Sequence, residues 1–196
     1  LAIWNFVTDF GDSAVTVPLT LLTLIILLAA GQRRLALFWI LAIGGCAVTI
    51  GTLKLIFGAC GPPIAIGHIV SPSGHTAMST AVFGSLALLV GEPLPVRQRR
   101  GIMIATAIGI AAIAVSRVAL HEHDPAEVVI GLVVGAGAVM FFRTVIGRRA
   151  LPALPFGWLL LCGAAVIAAM HGTRWMVEPT VHRLAWDFRF ALPWCH

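Results

Sequence analysis

Six apolar runs, roughly 14–30, 35–53, 73–90, 101–116, 126–142 and 156–170, dominate the chain and leave little of it to meet water. In lipid such a run satisfies its own backbone polar groups only as a helix, and continuous rather than alternating hydrophobicity disfavours a β-barrel. Several runs fall short of the roughly 20 residues an untilted span requires, so flanking residues extend them or the bilayer adapts. Only 11% of the 196 residues are charged, about half the fraction of a soluble domain. The expectation is an all-α, polytopic membrane bundle with about six transmembrane helices.

The formal charge of +5 is carried in short groups between the runs. Arg33 and Arg34, then Arg97, Arg99 and Arg100, then Arg143, Arg148 and Arg149 occupy alternate connections. That pattern reads as membrane topology rather than nucleic-acid binding, and no nucleic-acid partner is expected. The positive-inside tendency puts these groups in the cytoplasm. The connections holding Lys54 to Pro72 and Arg117 to Asp124, with both termini, then share the outer side.

The chain starts at Leu1, and its first long apolar run reads as a span rather than a cleavable leader. Leu1–Phe10, with Trp4 and Phe6, fits a short interfacial helix ahead of it. The tail 171–196, with Arg174, Trp175, Arg183 and Trp194, suits an amphipathic segment on the outer face. One membrane-embedded domain, 1–196, is expected. Gly44, Gly45, Gly131, Gly135 and Gly137 read as helix-packing positions. The cysteines show no CxxC spacing, and a Cys60–Cys195 disulfide on the outer side is one reading.

Two polar clusters interrupt the hydrocarbon pattern, where they are costly unless they have a job. At the first, Ser71 can cap a helix while Pro72 occupies its first turn. Ser73, Gly74 and His75 would then offer backbone N–H groups to an anion; a plain cap with a buried polar His is the rival. The second, Asp124-Pro125-Ala126-Glu127, fits a capping box. Alternatively Glu127 accepts a proton from one nitrogen of His123 and leaves the other to attack. Arg117 offers several donors to phosphate oxygens. His121, His123, Asp124 and Glu127 lack a recognised zinc spacing, so neither metal nor cofactor is expected. His68 reads as a loop residue or a substrate contact.

The set Lys54, Pro-Ser-Gly-His at 72–75, and Ser116-Arg117 followed by His123 and an acid at 127 resembles the membrane branch of the type 2 phosphatidic acid phosphatase (PAP2) family, related to the vanadium haloperoxidases. The likeness runs from about Lys54 to Gly131, with three blocks in order on one membrane face. It implies a PAP2/haloperoxidase-like helical core and metal-independent hydrolysis of a phosphomonoester or pyrophosphate through a phosphohistidine. By the same resemblance His123 is the nucleophile and Glu127 its orienting partner. His75 protonates the leaving oxygen and then helps activate water. Lys54, Ser73, Gly74 and Arg117 hold the phosphoryl oxygens.

Two positions depart from the family pattern. The family usually has Lys, six residues, then Arg-Pro; the same spacing from Lys54 gives Gly61-Pro62. Loss of one such donor weakens transition-state binding by about 2–4 kcal/mol if nothing replaces it; Arg174 is the first candidate for a replacement, with an interfacial anchor as its other reading. Glu127 stands where the family generally has Asp. Known members also tend to place three spans before the Pro-Ser-Gly-His helix, where this chain shows two. The resemblance implies a bacterial inner-membrane enzyme with its site facing the periplasm or cell exterior. Its partners would be the bilayer and a phosphorylated membrane lipid: phosphatidic acid, phosphatidylglycerol phosphate, phosphorylated lipid A or a polyprenyl pyrophosphate. The alternatives are a noncatalytic lipid-binding or transport protein, a lipid-to-lipid phosphotransferase and a structural membrane partner.

Overall fold

A computed structural model describes residues 1–60, 71–146, 155–175 and 183 of the chain. Every regular element among them is a helix: α1 (Ala2–Asp9), α2 (Ser13–Ala29), α3 (Arg33–Cys60), α4 (Gly74–Gly91), α5 (Val96–Ala119), α6 (Pro125–Ile146) and α7 (Phe156–Met170). Five stretches are long and apolar enough to cross a membrane: Ala2–Ala29, which joins α1 and α2, Arg33–Ala59, Gly74–Gly91, Val96–Ala119 and Pro125–Thr144. The sixth apolar run forms a helix too, but α7 has only 15 residues, short of the roughly 20 a span normally uses. The expected Cys60–Cys195 pairing, the Gly61-Pro62 position and His68 lie outside the described residues.

Helix ends follow local chemistry. Asp12 caps α2, its Oδ1 accepting the Ala14 N–H at 2.8 Å. At the other end Gly31 adopts φ +73°, so that its N–H reaches Leu28 O and the Gln32 N–H reaches Leu27 O. This is a Schellman stop, which favours glycine at the left-handed position. The threonines inside α2 return their hydroxyls to the preceding turn, Thr20 to Thr16 O at 2.7 Å and Thr23 to Leu19 O at 2.8 Å. No buried hydroxyl of these is left to face hydrocarbon.

Short connections make neighbouring helices antiparallel. α4 is the innermost of the long helices: 67% of its span is buried by protein, against 44% or less for the others. It is also the least apolar of them, because a helix wrapped by helices need not match lipid. α6 lies parallel to it in the most extensive helix pair. A Cβ at Gly131 would stand 2.6 Å from Ser73 O, and one at Gly135 would stand 2.5 Å from Ala77 O. Backbones approach this closely only over glycine; Gly44, Gly45 and Gly137, also read as packing positions, have nothing within 4 Å. α3 runs antiparallel to both. Trp39 meets Phe142 edge-on at 5.5 Å, Cys46 Sγ reaches Ala77 O, and Lys54 lies against Gly74.

The alternation sorts the ends of the bundle. The start of α4, the end of α5, the start of α6, the α1–α2 elbow and the end of α7 gather at one end. Arg33, Arg34, Arg97, Arg99, Arg100 and Arg143 lie at the other.

Candidate active site

The α4 helix begins two residues later than its sequence suggests. Ser73, not Ser71, is the N-cap: its Oγ accepts the Thr76 N–H at 3.4 Å and lies 3.0 Å from Thr76 Oγ1. The reason is long-range. The Ser71 N–H donates to Glu127 Oε1 at 2.6 Å and the Ser73 N–H donates to Glu127 O at 3.1 Å. Residues 71–73 are thus tied to α6, and the first helical residue is Gly74. A Cβ on Gly74 would lie 3.4 Å from Lys54 Cε and 3.8 Å from Nζ. Those are ordinary contact distances, so the Lys54 ammonium sits beside the positive end of α4, an arrangement suited to an anion.

The α5–α6 turn builds the other wall. His121 takes φ 56°, an uncommon choice for a residue with a side chain. Its N–H reaches Val118 O at 3.0 Å, and the Glu122 N–H reaches Arg117 O at 3.1 Å. This is a second Schellman stop, made without glycine. The turn is so tight that the His123 N–H also donates to Arg117 O, at 3.3 Å. Arg117 and His123, six apart in sequence, are thereby joined through the backbone. Arg117 is buried; its Nη1 donates to Thr8 Oγ1 at 3.0 Å, and Nη2 lies 3.9 Å from Glu122 Oε2.

Glu127 makes both of the contacts that its spacing left open. Its Oε2 lies 2.7 Å from His123 Nδ1 and accepts the Asp124 N–H at 3.3 Å, while Oε1 holds Ser71. The His123 and Glu127 side chains are only 4% and 6% exposed, so the short contact is a charge-assisted one in a dry setting. With Nδ1 turned to the carboxylate, Nε2 is the nitrogen available for nucleophilic attack. A polar cavity of about 300 Å³ borders His121, Glu122, His123 and Glu127.

His75, in the first turn of α4, directs Nε2 toward Asp12 Oδ2 at 3.4 Å and is 21% exposed. Arg174 is placed on α1: Nε donates to Asp9 Oδ1 at 2.9 Å and Nη2 to Asn5 Oδ1 at 3.1 Å, with the side chain 56% exposed. Among the described residues no group of three or more His, Cys, Asp and Glu side chains is arranged to hold a metal ion. Lys54, Ser73, Gly74, His75, Arg117, His123 and Glu127 thus converge on one end of the bundle. Sequence reasoning missed Thr8, Asp9 and Asp12, each buried and each touching one of the candidate residues. The sole local signal was Asp12-Ser13 ahead of an apolar run, which speaks only of a helix cap.

Residues 33–151, well over half of the chain, match the model of the PAP2 superfamily. The match contains all of Lys54, Ser73, Gly74, His75, Arg117, His123 and Glu127, and it is to the superfamily as a whole rather than to its haloperoxidase branch. An uncharacterized 22.5 kDa protein in the cps region of Klebsiella pneumoniae is 30% identical over 140 residues, covering 71% of this chain and 67% of that protein. No solved structure matches. A family match that spans α3 to α6, on a bundle of long apolar helices, makes this chain a membrane protein of the PAP2 superfamily, whose typical activity is that of a phosphatase.

Proposed function

We propose that the chain hydrolyses a lipid phosphate monoester or pyrophosphate, without a metal ion, through a phosphohistidine. The observation that carries this reading is the His123–Glu127 pair at 2.7 Å, set beside the N-terminus of α4 with Lys54, Ser73 and Arg117 around it. His123 Nε2 attacks phosphorus; the P–O bond to the lipid breaks, and the leaving oxygen takes a proton from His75. Water then attacks the phosphohistidine, giving its proton to His75, and the P–N bond breaks to release inorganic phosphate and restore His123. Lys54, Arg117, Ser73 Oγ and the N–H groups of the first α4 turn receive the charge on the equatorial oxygens. Arg174, tethered at the rim by Asp9 and Asn5, supplies a contact for the outer part of the headgroup.

Two apolar clefts support a lipid as substrate. One, of about 370 Å³, is bordered by Val7, Phe10, Phe83, Thr106, Gly109 and Ile113. The second, of about 380 Å³, is bordered by Phe83, Leu86, Val90, Ile102, Thr106 and Leu159. They adjoin at Phe83 and Thr106, and in this reading they serve as one track from the polar end toward the arginine-rich end. A phosphate headgroup in the polar site would leave its acyl or polyprenyl chain in this track. With the arginines inside, the site opens at the outer leaflet of a bacterial inner membrane, and residues 1–196 act as one membrane-embedded domain of six crossings.

The test is phosphate release from lipid monophosphates and pyrophosphates in nanodiscs with chelator present. Activity is expected to survive chelation and to fall at least about a thousandfold in His123→Ala. Equal release by wild type and His123→Ala would overturn the mechanism. Headgroup transfer to an added lipid acceptor, without phosphate release, would replace hydrolysis by phosphotransfer.

A further inference from the structure

The α1–α2 elbow precedes the family-matched residues 33–151, yet it is built into the site. Gly11 makes the seating possible: a Cβ there would stand 2.8 Å from Ile113 Cγ2 and 3.4 Å from His75 O. Asp12 is 4% exposed. Its Oδ1 accepts the Ala14 N–H at 2.8 Å and the Trp175 N–H at 3.2 Å. Those bonds complete the helix cap and pin the chain after α7, and Ser, Thr or Asn could make them as well. The second oxygen, Oδ2, has a different neighbour, His75 Nε2 at 3.4 Å. A buried charge is kept where it is paired, and a cap needs no charge.

We propose that Asp12 is a positioning residue for His75, so that the N-terminal elbow supplies the orienting carboxylate of the proton-transfer histidine as Glu127 does for the nucleophile. Asp12 holds the Nε2–H of His75 and steadies its imidazolium form. The other nitrogen, Nδ1, gives its proton to the leaving oxygen as the P–O bond breaks. It takes one back from water when the phosphohistidine is cleaved. The two histidines are then served by two carboxylates from opposite sides, one on α6 and one on the elbow.

This inference rests on the phosphatase reading, and leaving-group chemistry separates the two. An alkoxide leaving from a lipid phosphate needs a proton; a nitrophenolate leaving from an aryl phosphate hardly does. Asp12→Asn and Asp12→Ser both keep a capping oxygen. Each is expected to lose about 10–100-fold in kcat on the lipid phosphate and less than about threefold on p-nitrophenyl phosphate. Equal losses on both substrates, or none, would overturn the positioning role. A second readout needs no turnover: in protein labelled with 15N-histidine in nanodiscs, the His75 ring resonances, assigned with His75→Gln, should shift in Asp12→Asn. Unchanged resonances overturn the pairing. Shifted resonances in a protein whose wild type hydrolyses neither substrate would leave the pairing standing and remove the phosphatase reading instead.

Discussion

Glu127 serves three donors with one carboxylate: Ser71 N–H, His123 Nδ1 and Asp124 N–H. The extra methylene that separates it from the family's usual Asp therefore has a use. Withdrawing the carboxylate by one C–C bond, about 1.5 Å, cannot preserve the 2.6 Å contact to Ser71 and the 2.7 Å contact to His123 together. Glu127→Asp should retain His123 orientation in part and loosen the start of α4. Glu127→Gln keeps the shape, but removes the charge that in the proposed mechanism fixes the imidazole tautomer and stabilises the imidazolium. We expect kcat to fall by about 10²–10⁴-fold in Glu127→Gln and by less in Glu127→Asp, both measured as phosphate release. A Gln variant as active as wild type would mean that Glu127 is only a cap. The sequence offered cap and catalytic partner as rivals; the structure gives the first to the backbone of Asp124 and brings the same oxygen to His123. Nothing local foretold Ser71, because the contact joins residues 56 apart.

At the scale of elements, the α4–α6 pair sets where the two histidine-bearing segments meet. Gly131 lies over Ser73 and Gly135 over Ala77, so the helices are spaced by backbone rather than by side chains. A Cβ at Gly131 would press on Ser73 O at 2.6 Å, and a carbonyl oxygen has no rotamer by which to yield. Gly131→Ala should cost about 1–3 kcal/mol of stability, and it should move Ser73 and Gly74 away from His123. A displacement near 1 Å costs about 10²-fold in rate, so the kinetic loss should exceed what the fraction of folded protein explains. Gly137→Ala is the control: nothing lies within 4 Å of its Cβ, and replacing glycine in a helix gains up to about 1 kcal/mol. Thermal unfolding in detergent and kcat at a temperature where both variants are folded decide the matter. Equal behaviour of the two variants would mean that helix spacing does not control the site. The helices themselves were legible in sequence as apolar runs, but which glycines carry the close approach was not. Five glycines looked alike by composition, and only packing separates Gly131 and Gly135 from Gly44, Gly45 and Gly137.

At the scale of the whole molecule, the described residues divide into a polar end and an arginine-rich end, with two apolar clefts that the proposed function joins as one track. Charge placement and run length make the first two readable from sequence, since both follow from one residue's transfer between water and lipid. The track was not readable, because Val7, Phe83, Thr106 and Leu159 come from four helices whose facing surfaces depend on how the bundle closes. For the same reason the packing of Thr8 and Asp9 of α1 into the site end was not readable either. From Ile113 to Ile102 the track follows α5 for about 16 Å at 1.5 Å per residue, enough for much of one acyl chain. Gly109 borders its upper part and has open space where a Cβ would stand. A Cβ at Gly109 thus meets no neighbour, and Gly109→Phe is the variant chosen to obstruct the proposed track while leaving the proposed phosphate-handling residues unchanged. We expect it to raise KM about 10-fold or more for a long-chain lipid phosphate, since excluding several methylenes at about 0.8 kcal/mol each removes that much binding. A short-chain, water-soluble phosphate should be hydrolysed almost as by wild type. Equal KM increases for both substrates would place the chain elsewhere, and no increase for either would mean that the lipid tail stays in the bilayer throughout.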